Sequence, residues 1–122
     1  MAALRIAFEA PDSPGNSSVS GRKPIDFAHL AVQTMGDKAL EIEVLQLFAR
    51  QARQVLKEIV ESEDIVRAQA AHRLKGAALA VGAVDVASVA GDIEQRPSDA
   101  SHLEKLSAAV LEAELFILKL CR

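Results

Sequence analysis

The chain has 122 residues, a length that suits one domain, and half of them are apolar, which is enough for a hydrophobic core. The apolar residues are mainly Ala, Leu, Val and Ile, with four Phe and no Trp or Tyr, a composition that favours packed helices. The formal net charge of −3 argues against nucleic-acid binding, because domains that bind nucleic acids usually carry a basic patch.

Cysteine content and hydropathy restrict the cellular setting. The single cysteine, Cys121, excludes an internal disulfide and a cysteine-based metal site, and it fits a reducing compartment. No run approaches the ~18 apolar residues of a membrane span. Arg5 and Glu9 interrupt the short apolar run at the N-terminus, where a signal peptide would need a longer one. We therefore expect a cytoplasmic protein with no membrane segment.

The N-terminal residues differ in character from the rest of the chain. Residues 11–18 are polar and turn-forming, so residues 1–23 are predicted to be a disordered tail ahead of a helical domain over residues 24–122. Alternating Leu4, Ile6 and Phe8 leave a second interpretation open, in which this segment packs as a short ordered piece against a neighbour.

Two helices are predicted in the first half of the domain. The first begins near Asp26 and ends near Gly36, and the second covers about residues 38–61 with Asp37 as its cap. Apolar residues recur at helical spacing in both and are expected to be buried. In the first helix they are Phe27, Leu30, Ala31 and Met35, and in the second they are Leu45, Phe48, Ala52, Val55 and Ile59.

Two more helices are predicted at the C-terminal end. One covers roughly residues 84–95, and a turn at residues 96–98 ends it because Pro97 cannot continue a helix interior. The spacing of Ser101 and Glu104 is typical of a capping box for the last helix. The residues expected to be buried are Val86, Val89, Ala90 and Ile93, then Leu103, Leu106, Val110, Ala113, Ile117 and Leu120.

The central helix is expected to start at a cap formed by Ser62 or Asp64 and to end or kink at Gly82. On a helical wheel its apolar residues gather on one side, and His72 falls on the opposite side. The apolar stripe consists of Val66, Ala70, Ala71, Leu74, Ala77, Ala78 and Val81. With this helix the pattern predicts an all-α protein, an antiparallel up-down four-helix bundle with a short additional N-terminal helix.

Two residues one turn beyond His72 suit a reactive imidazole. Lys75 at i+3 can meet a negative charge placed on the ring. Gly76 at i+4 leaves the approach open, at a helix cost of roughly 1 kcal/mol relative to Ala. Imidazole has a reference pKa of about 6.5, so much of it is neutral at pH 7 and can act as a nucleophile.

The sequence around His72 resembles the histidine phosphotransfer (HPt) domains of bacterial phosphorelays. Their signature is His-x-Leu-Lys-Gly followed by two small residues and an apolar-Gly-Ala ending, matched here by residues 72–78 and 81–83. The resemblance extends upstream to the turn at Gly36-Asp37 and to Leu47-Phe48. Downstream it includes Asp92-Ile93-Glu94, where the family often has an apolar residue followed by Glu.

The resemblance covers roughly residues 24 to 122 and implies a function. His72 would be the phosphoacceptor, with Lys75 and Gly76 as supporting residues of the site. The donors and acceptors would be aspartyl phosphates on receiver domains of response regulators or hybrid histidine kinases. The Mg²⁺ for transfer would lie in the receiver, so no cofactor is expected here, and the protein would be a monomer.

Ile65, Gln69 and Leu79 project near the His72 side and are expected to form a receiver-docking patch, although scattered surface apolar residues are also normal. No ATP-binding fingerprint is present, so a carrier rather than an autokinase is expected. A non-catalytic helical adaptor and a dimerising kinase fragment remain alternatives. His29 and His102 lack acidic or cysteine partners at ligand spacing, which argues against a metal site.

Arg67 falls on the buried side of the wheel, which the helix pattern does not explain. A position near one end of the bundle, where its stem could snorkel to solvent, would accommodate it.

Overall fold

The computed structural model describes residues 23–121, and in these residues it contains five α-helices and no β-strand. The predicted N-terminal tail therefore lies outside the described residues except for Lys23. The helices are α1 (Phe27–Thr34), α2 (Lys38–Glu61), α3 (Asp64–Val81), α4 (Val84–Gln95) and α5 (Ser101–Leu120). No helix in this part of the chain is long and apolar enough to cross a membrane.

The four longer helices pack in a closed ring. α2 contacts α3, α3 contacts α4, α4 contacts α5, and α5 returns to α2, while α1 lies against α2 and α3. Among the described residues no Cα atom of α3 lies within 8 Å of a Cα atom of α5, so these two helices are not neighbours in the ring. The molecule is thus a helical bundle, as the composition predicts.

The core lies between these helices and consists of aliphatic side chains. Nine large side chains are fully buried, and each contributes about 1.5–3 kcal/mol through removal of its apolar surface from water. They are Ile25, Leu30, Leu45, Ile59, Leu74, Val86, Ile93, Leu106 and Val110. Since every one of the five helices supplies at least one of them, the helices are held by a shared core.

The predicted cap at Asp37 is confirmed, whereas the predicted caps of α3 and α5 are wrong. The Asp26 carboxylate accepts hydrogen bonds from backbone N–H groups at the start of α1, and Asp37 does the same for α2. The predicted cap of α3 at Ser62 or Asp64 is wrong, because the cap position is Glu63 and its side chain makes no capping bond. The capping box at the start of α5 is also wrong, since the Ser101 hydroxyl donates back to Asp99 at 2.7 Å.

Gly82 ends α3 as predicted and also joins two elements. Its backbone is left-handed, with φ of 80°, and the Asp26 backbone N–H donates to its carbonyl at 2.8 Å. A Cβ atom at Gly82 would lie only 2.7 Å from the Asp26 carbonyl oxygen. Both the backbone conformation and the close approach therefore require glycine, which fixes the end of α3 against the start of α1.

Three residues predicted to be buried are exposed, and one of them is Leu120 at the C-terminal end of α5, which is 39% exposed. Met35 is 94% exposed because α1 ends at Thr34 and Met35 turns left-handed, which carries its side chain out of the helical stripe. Val66 is 47% exposed, since it lies in the first turn of α3 at the margin of the core. The core instead includes Leu56 and Ala87, which the predicted stripes omitted.

Candidate functional site

The site is built on the outer face of α3. His72 lies near the middle of this helix, and 68% of its side chain is exposed. Its neighbours Ala71 and Leu74 are buried in the core, so the helix is anchored on one side and holds the imidazole out on the other. An exposed imidazole on a rigid helix is accessible to a partner protein.

A carboxylate from the adjacent helix contacts the ring. Nδ1 of His72 lies 2.8 Å from Oε2 of Glu94 on α4, and Nζ of Lys75 lies 3.5 Å from the other oxygen of the same carboxylate. The Glu94 side chain is partly shielded, with 30% exposed. One carboxylate thus connects the imidazole to the ammonium group of Lys75.

The surroundings of Glu94 favour its ionised form. Partial desolvation raises the pKa of Glu94, but the hydrogen bond from His72 and the charges of His72 and Lys75 together outweigh desolvation. The pKa of Glu94 is consequently below its ordinary value, and the group is a carboxylate at neutral pH.

This carboxylate determines the tautomer of the neutral ring. An ionised carboxylate can only accept hydrogen bonds, so Nδ1 of His72 must carry the proton that it donates to Glu94. In the neutral imidazole the free lone pair then belongs to Nε2. The site therefore presents one defined nucleophilic nitrogen.

Two glycines, one on α3 and one on α4, lie beside these side chains. A Cβ atom at Gly76, one turn beyond His72, would meet nothing within 4 Å, so this position opens directly to solvent. A Cβ atom at Gly91 on α4 would lie 3.6 Å from Cδ of Lys75, in ordinary contact with its stem. Gly76 thus leaves the surface one turn beyond His72 without a side chain.

The three residues predicted to dock a receiver are all exposed on α3. Ile65 and Leu79 lie seven residues before and after His72, and their side chains are 76% and 51% exposed. Gln69 is exposed between Ile65 and His72. Val66, predicted to be in the core, is exposed beside Ile65. Apolar side chains therefore flank His72 at both ends of its helix.

The other two histidines have different surroundings. His29 and His102 are partly buried, and each has one ring nitrogen shielded from solvent without a hydrogen-bond partner among the described residues. Nε2 of His102 lies 3.5 Å from Asp99. Within residues 23–121 there is no group of three or more His, Cys, Asp or Glu side chains that could hold a metal ion.

Arg67, which the helix pattern left unexplained, connects three backbone segments. Its guanidinium donates to the carbonyl oxygens of Ile59, Ser62 and Pro97, each at 2.8 Å. Ile59 and Ser62 lie at the end of α2, where helix carbonyls lack intrahelical partners, and Pro97 follows α4. Arg67 is therefore a structural residue of the bundle end rather than a snorkelling side chain.

Comparison with known protein families identifies the family of this chain. The model of the Hpt domain matches residues 43–115, more than half of the chain, including α3 and α4. The chain belongs to the Hpt domain family. This family carries out histidine phosphotransfer in phosphorelays, and its members generally interact with receiver domains and histidine kinases. No curated protein and no solved structure matches the chain.

The sequence names His72, Lys75 and Gly76 as candidate site residues, but it assigns no role to Glu94. The only indication of a role for Glu94 in the sequence was its place after an apolar residue in the family pattern. Its distance from His72, 22 positions along the chain, concealed the contact. Only the packing of α4 on α3 brings the two side chains together.

Proposed function

We propose that this protein relays phosphoryl groups between receiver aspartates through a phosphohistidine at His72. The observation that carries this proposal is the exposed imidazole whose Nδ1 contacts the carboxylate of Glu94 at 2.8 Å. This contact leaves the lone pair of the neutral ring on Nε2, and most of the side chain is exposed to a partner. Membership of the Hpt family supports the same chemistry.

The transfer step is a displacement at phosphorus. The Nε2 lone pair attacks, an N–P bond forms, and the P–O bond to the receiver aspartate breaks, so that the aspartate carboxylate leaves with the electron pair. No proton has to leave Nε2, because the reacting tautomer carries its proton at Nδ1. The ring gains positive charge as the bond forms, and the carboxylate of Glu94 lies against that charge.

Lys75 and Gly76 support the step in different ways. The ammonium group of Lys75 attracts the phosphoryl oxygens and the acidic pocket of the receiver. Gly76 leaves room for the receiver to approach the ring. We expect the receiver to supply the Mg²⁺ ion, since its acidic pocket has the oxygen ligands that Mg²⁺ prefers.

Ile65, Gln69 and Leu79 are proposed to dock the receiver. They surround His72 on α3, and the exposed apolar area of Ile65 and Leu79 would be buried against an apolar surface of the partner. The protein is expected to act in the cytoplasm, where receivers and ATP-dependent kinases meet.

We further propose that the domain over residues 24–122 is an antiparallel up-down four-helix bundle with α1 added at one end. The contacts of Arg67 support this arrangement. From the start of α3 this residue reaches the end of α2 and the turn after α4, as expected if these three termini share one end of the bundle.

A non-catalytic adaptor is the alternative, and acceptance of a phosphoryl group distinguishes the two. Receiver domains are first labelled with radioactive phosphate, purified away from their phosphodonor and mixed with this protein. We expect a cognate receiver to lose label while this protein gains it within minutes. Tight binding of receivers without any gain of label would contradict phosphotransfer and favour the adaptor.

A further inference from the structure

A row of leucines on α5 lies outside the site described above. Leu111, Leu115 and Leu118 are 48%, 51% and 61% exposed, and their spacing of four and then three residues places them on one face of the helix. The opposite face of α5, which includes Leu106, is buried in the core. We call these three residues the leucine ridge.

The leucine ridge borders a groove between α5 and α2. The groove has a volume of about 560 Å³, and its α2 side is formed by Gln46, Ala49 and Arg50. Single exposed apolar residues are normal, but a continuous apolar strip beside a groove is typical of an interaction surface. The leucine ridge therefore has the character of a surface that another molecule or segment covers.

We propose that the occupant is the same ridge of a second copy of this chain. An antiparallel pair of α5 helices with a twofold axis at Leu115 would place Leu115 against its own copy. Leu111 would then oppose Leu118 of the other copy, because these two residues lie four and three positions from the axis. A self-complementary surface of this kind is what a twofold dimer requires.

Charges beside the ridge support this pairing. Glu112 and Lys119 are both exposed, lie on the same side of the ridge, and form no ion pair within residues 23–121. The twofold axis at Leu115 places Glu112 of one copy opposite Lys119 of the other, twice per dimer. In a parallel pair Glu112 of one copy and Lys119 of the other would lie on opposite sides of the seam, so this charge pairing requires the antiparallel arrangement.

The extent of the surface indicates a reversible dimer. Stable complexes bury about 800 Å² per partner, which three half-exposed leucines do not supply alone. The α2 side of the groove has to contribute the rest. We therefore expect association that depends on protein concentration, in place of the monomer that the family resemblance implies.

Dimerisation through the leucine ridge would leave the phosphotransfer site open. α5 carries the ridge and α3 carries His72, and among the described residues these two helices are not neighbours in the ring. A dimer could accordingly bind two receivers at once. This consequence rests on the proposed function, whereas the association itself does not.

Sedimentation velocity of the full chain over a range of concentrations tests the proposal. We expect the mass to rise from that of the 13.0 kDa chain toward twice that value. Leu115→Arg should weaken association at least tenfold, because two guanidinium groups would meet at the twofold axis. Val60→Arg, at an apolar residue of α2 that is also 51% exposed and lies outside the groove, is the matched control and should leave the mass unchanged.

Exchanging the charges of Glu112 and Lys119 tests whether a second copy of this chain, and not another molecule, covers the leucine ridge. Glu112→Lys and Lys119→Glu should each weaken the dimer, and the double variant should restore it. A monomer at every concentration would overturn the proposal. If deletion of residues 1–22 then produced association, the groove would belong to the N-terminal segment. Phosphoryl acceptance, measured on the same samples, reports separately on the proposed function.

Discussion

Nδ1 of His72 and Oε2 of Glu94 lie 2.8 Å apart, although 22 positions separate the two residues in the chain. The contact exists because α4 packs along α3 and turns Glu94 toward the imidazole. It fixes the proton of the neutral ring at Nδ1 and leaves the free lone pair on Nε2. Glu94 is thus proposed to position the reactive group without touching the phosphoryl group.

Replacement of Glu94 tests this positioning role. Glu94→Gln keeps a hydrogen-bond acceptor but removes the negative charge that faces the ring as the N–P bond forms, so we expect transfer to be slowed roughly tenfold. The affinity for the receiver should be unchanged. The transfer rate is therefore measured by rapid-quench single-turnover kinetics, and the affinity is measured by a separate binding titration. Glu104→Gln on α5 makes the same charge change away from His72 and serves as the control. A rate for Glu94→Gln equal to that of this control would remove the role assigned to Glu94.

The pKa of Glu94 itself gives a second prediction. Its hydrogen bond to His72 and the nearby charges hold the pKa below the ordinary value of 4.5, despite opposing desolvation. A depressed pKa in the folded state means that the carboxylate stabilises the fold above the ordinary value and loses this effect as pH falls through the depressed one. Carbon-13 NMR of the carboxyl group should show a midpoint below 4.5, and Lys75→Ala should raise it. A midpoint at or above 4.5 in the unaltered protein would contradict the network.

Replacement of Gly76 by Ala should change stability and phosphotransfer in opposite directions. A methyl group there would meet nothing within 4 Å, so Gly76→Ala should stabilise the helix by roughly 1 kcal/mol and raise the Tm by several degrees. The same methyl group lies one turn from His72, where it narrows the approach of the receiver, so transfer should slow. Thermal unfolding and transfer rates are measured on one preparation. Raised stability with unaltered transfer would make Gly76 merely a tolerated helix residue.

Much of the fold could be predicted from sequence because local signals were strong. The bounds of α2 and α4 match the predicted residues 38–61 and 84–95, since caps and breakers at Asp37, Gly82 and Pro97 mark where helices start and stop. Local signals failed where backbone geometry decided the outcome. Met35 continued the apolar period of α1, but its left-handed backbone placed it in solvent.

The site could be predicted only in part, for a physical reason. His72, Lys75 and Gly76 lie within five positions on one helix, so their relation follows from helical periodicity. The positions of Glu94 and Arg67 depend on how separate helices pack, which no local pattern encodes. A helical wheel shows that Arg67 is a charged residue on the apolar side of α3. It does not show the three backbone carbonyl oxygens to which the side chain donates.

Arg67 should therefore contribute strongly to stability. Arg67→Ala removes three hydrogen bonds from a charged donor, and we expect a loss of about 2–3 kcal/mol in the free energy of unfolding. Arg67→Lys should rescue little, since one ammonium group cannot reproduce the planar fork. Arg73 lies on α3 like Arg67, and Arg73→Ala, which breaks its exposed pair with Glu58 of α2, is the control and should cost under about 1 kcal/mol. Urea denaturation that gave Arg67→Ala and Arg73→Ala the same cost would contradict this role.

We propose that His72 carries the phosphoryl group, and this assignment can be tested directly. Its most direct test is phosphoryl acceptance by His72→Gln from a labelled receiver, because Gln keeps a polar side chain but lacks the imidazole nucleophile. The exposed position predicts an intact fold, with a change in stability under about 0.5 kcal/mol, and His29→Gln and His102→Gln should still accept label. We expect no label on His72→Gln, and label on the unaltered protein that is lost in acid and retained in alkali, as for a phosphoramidate. Label retained by a folded His72→Gln protein would contradict the assignment.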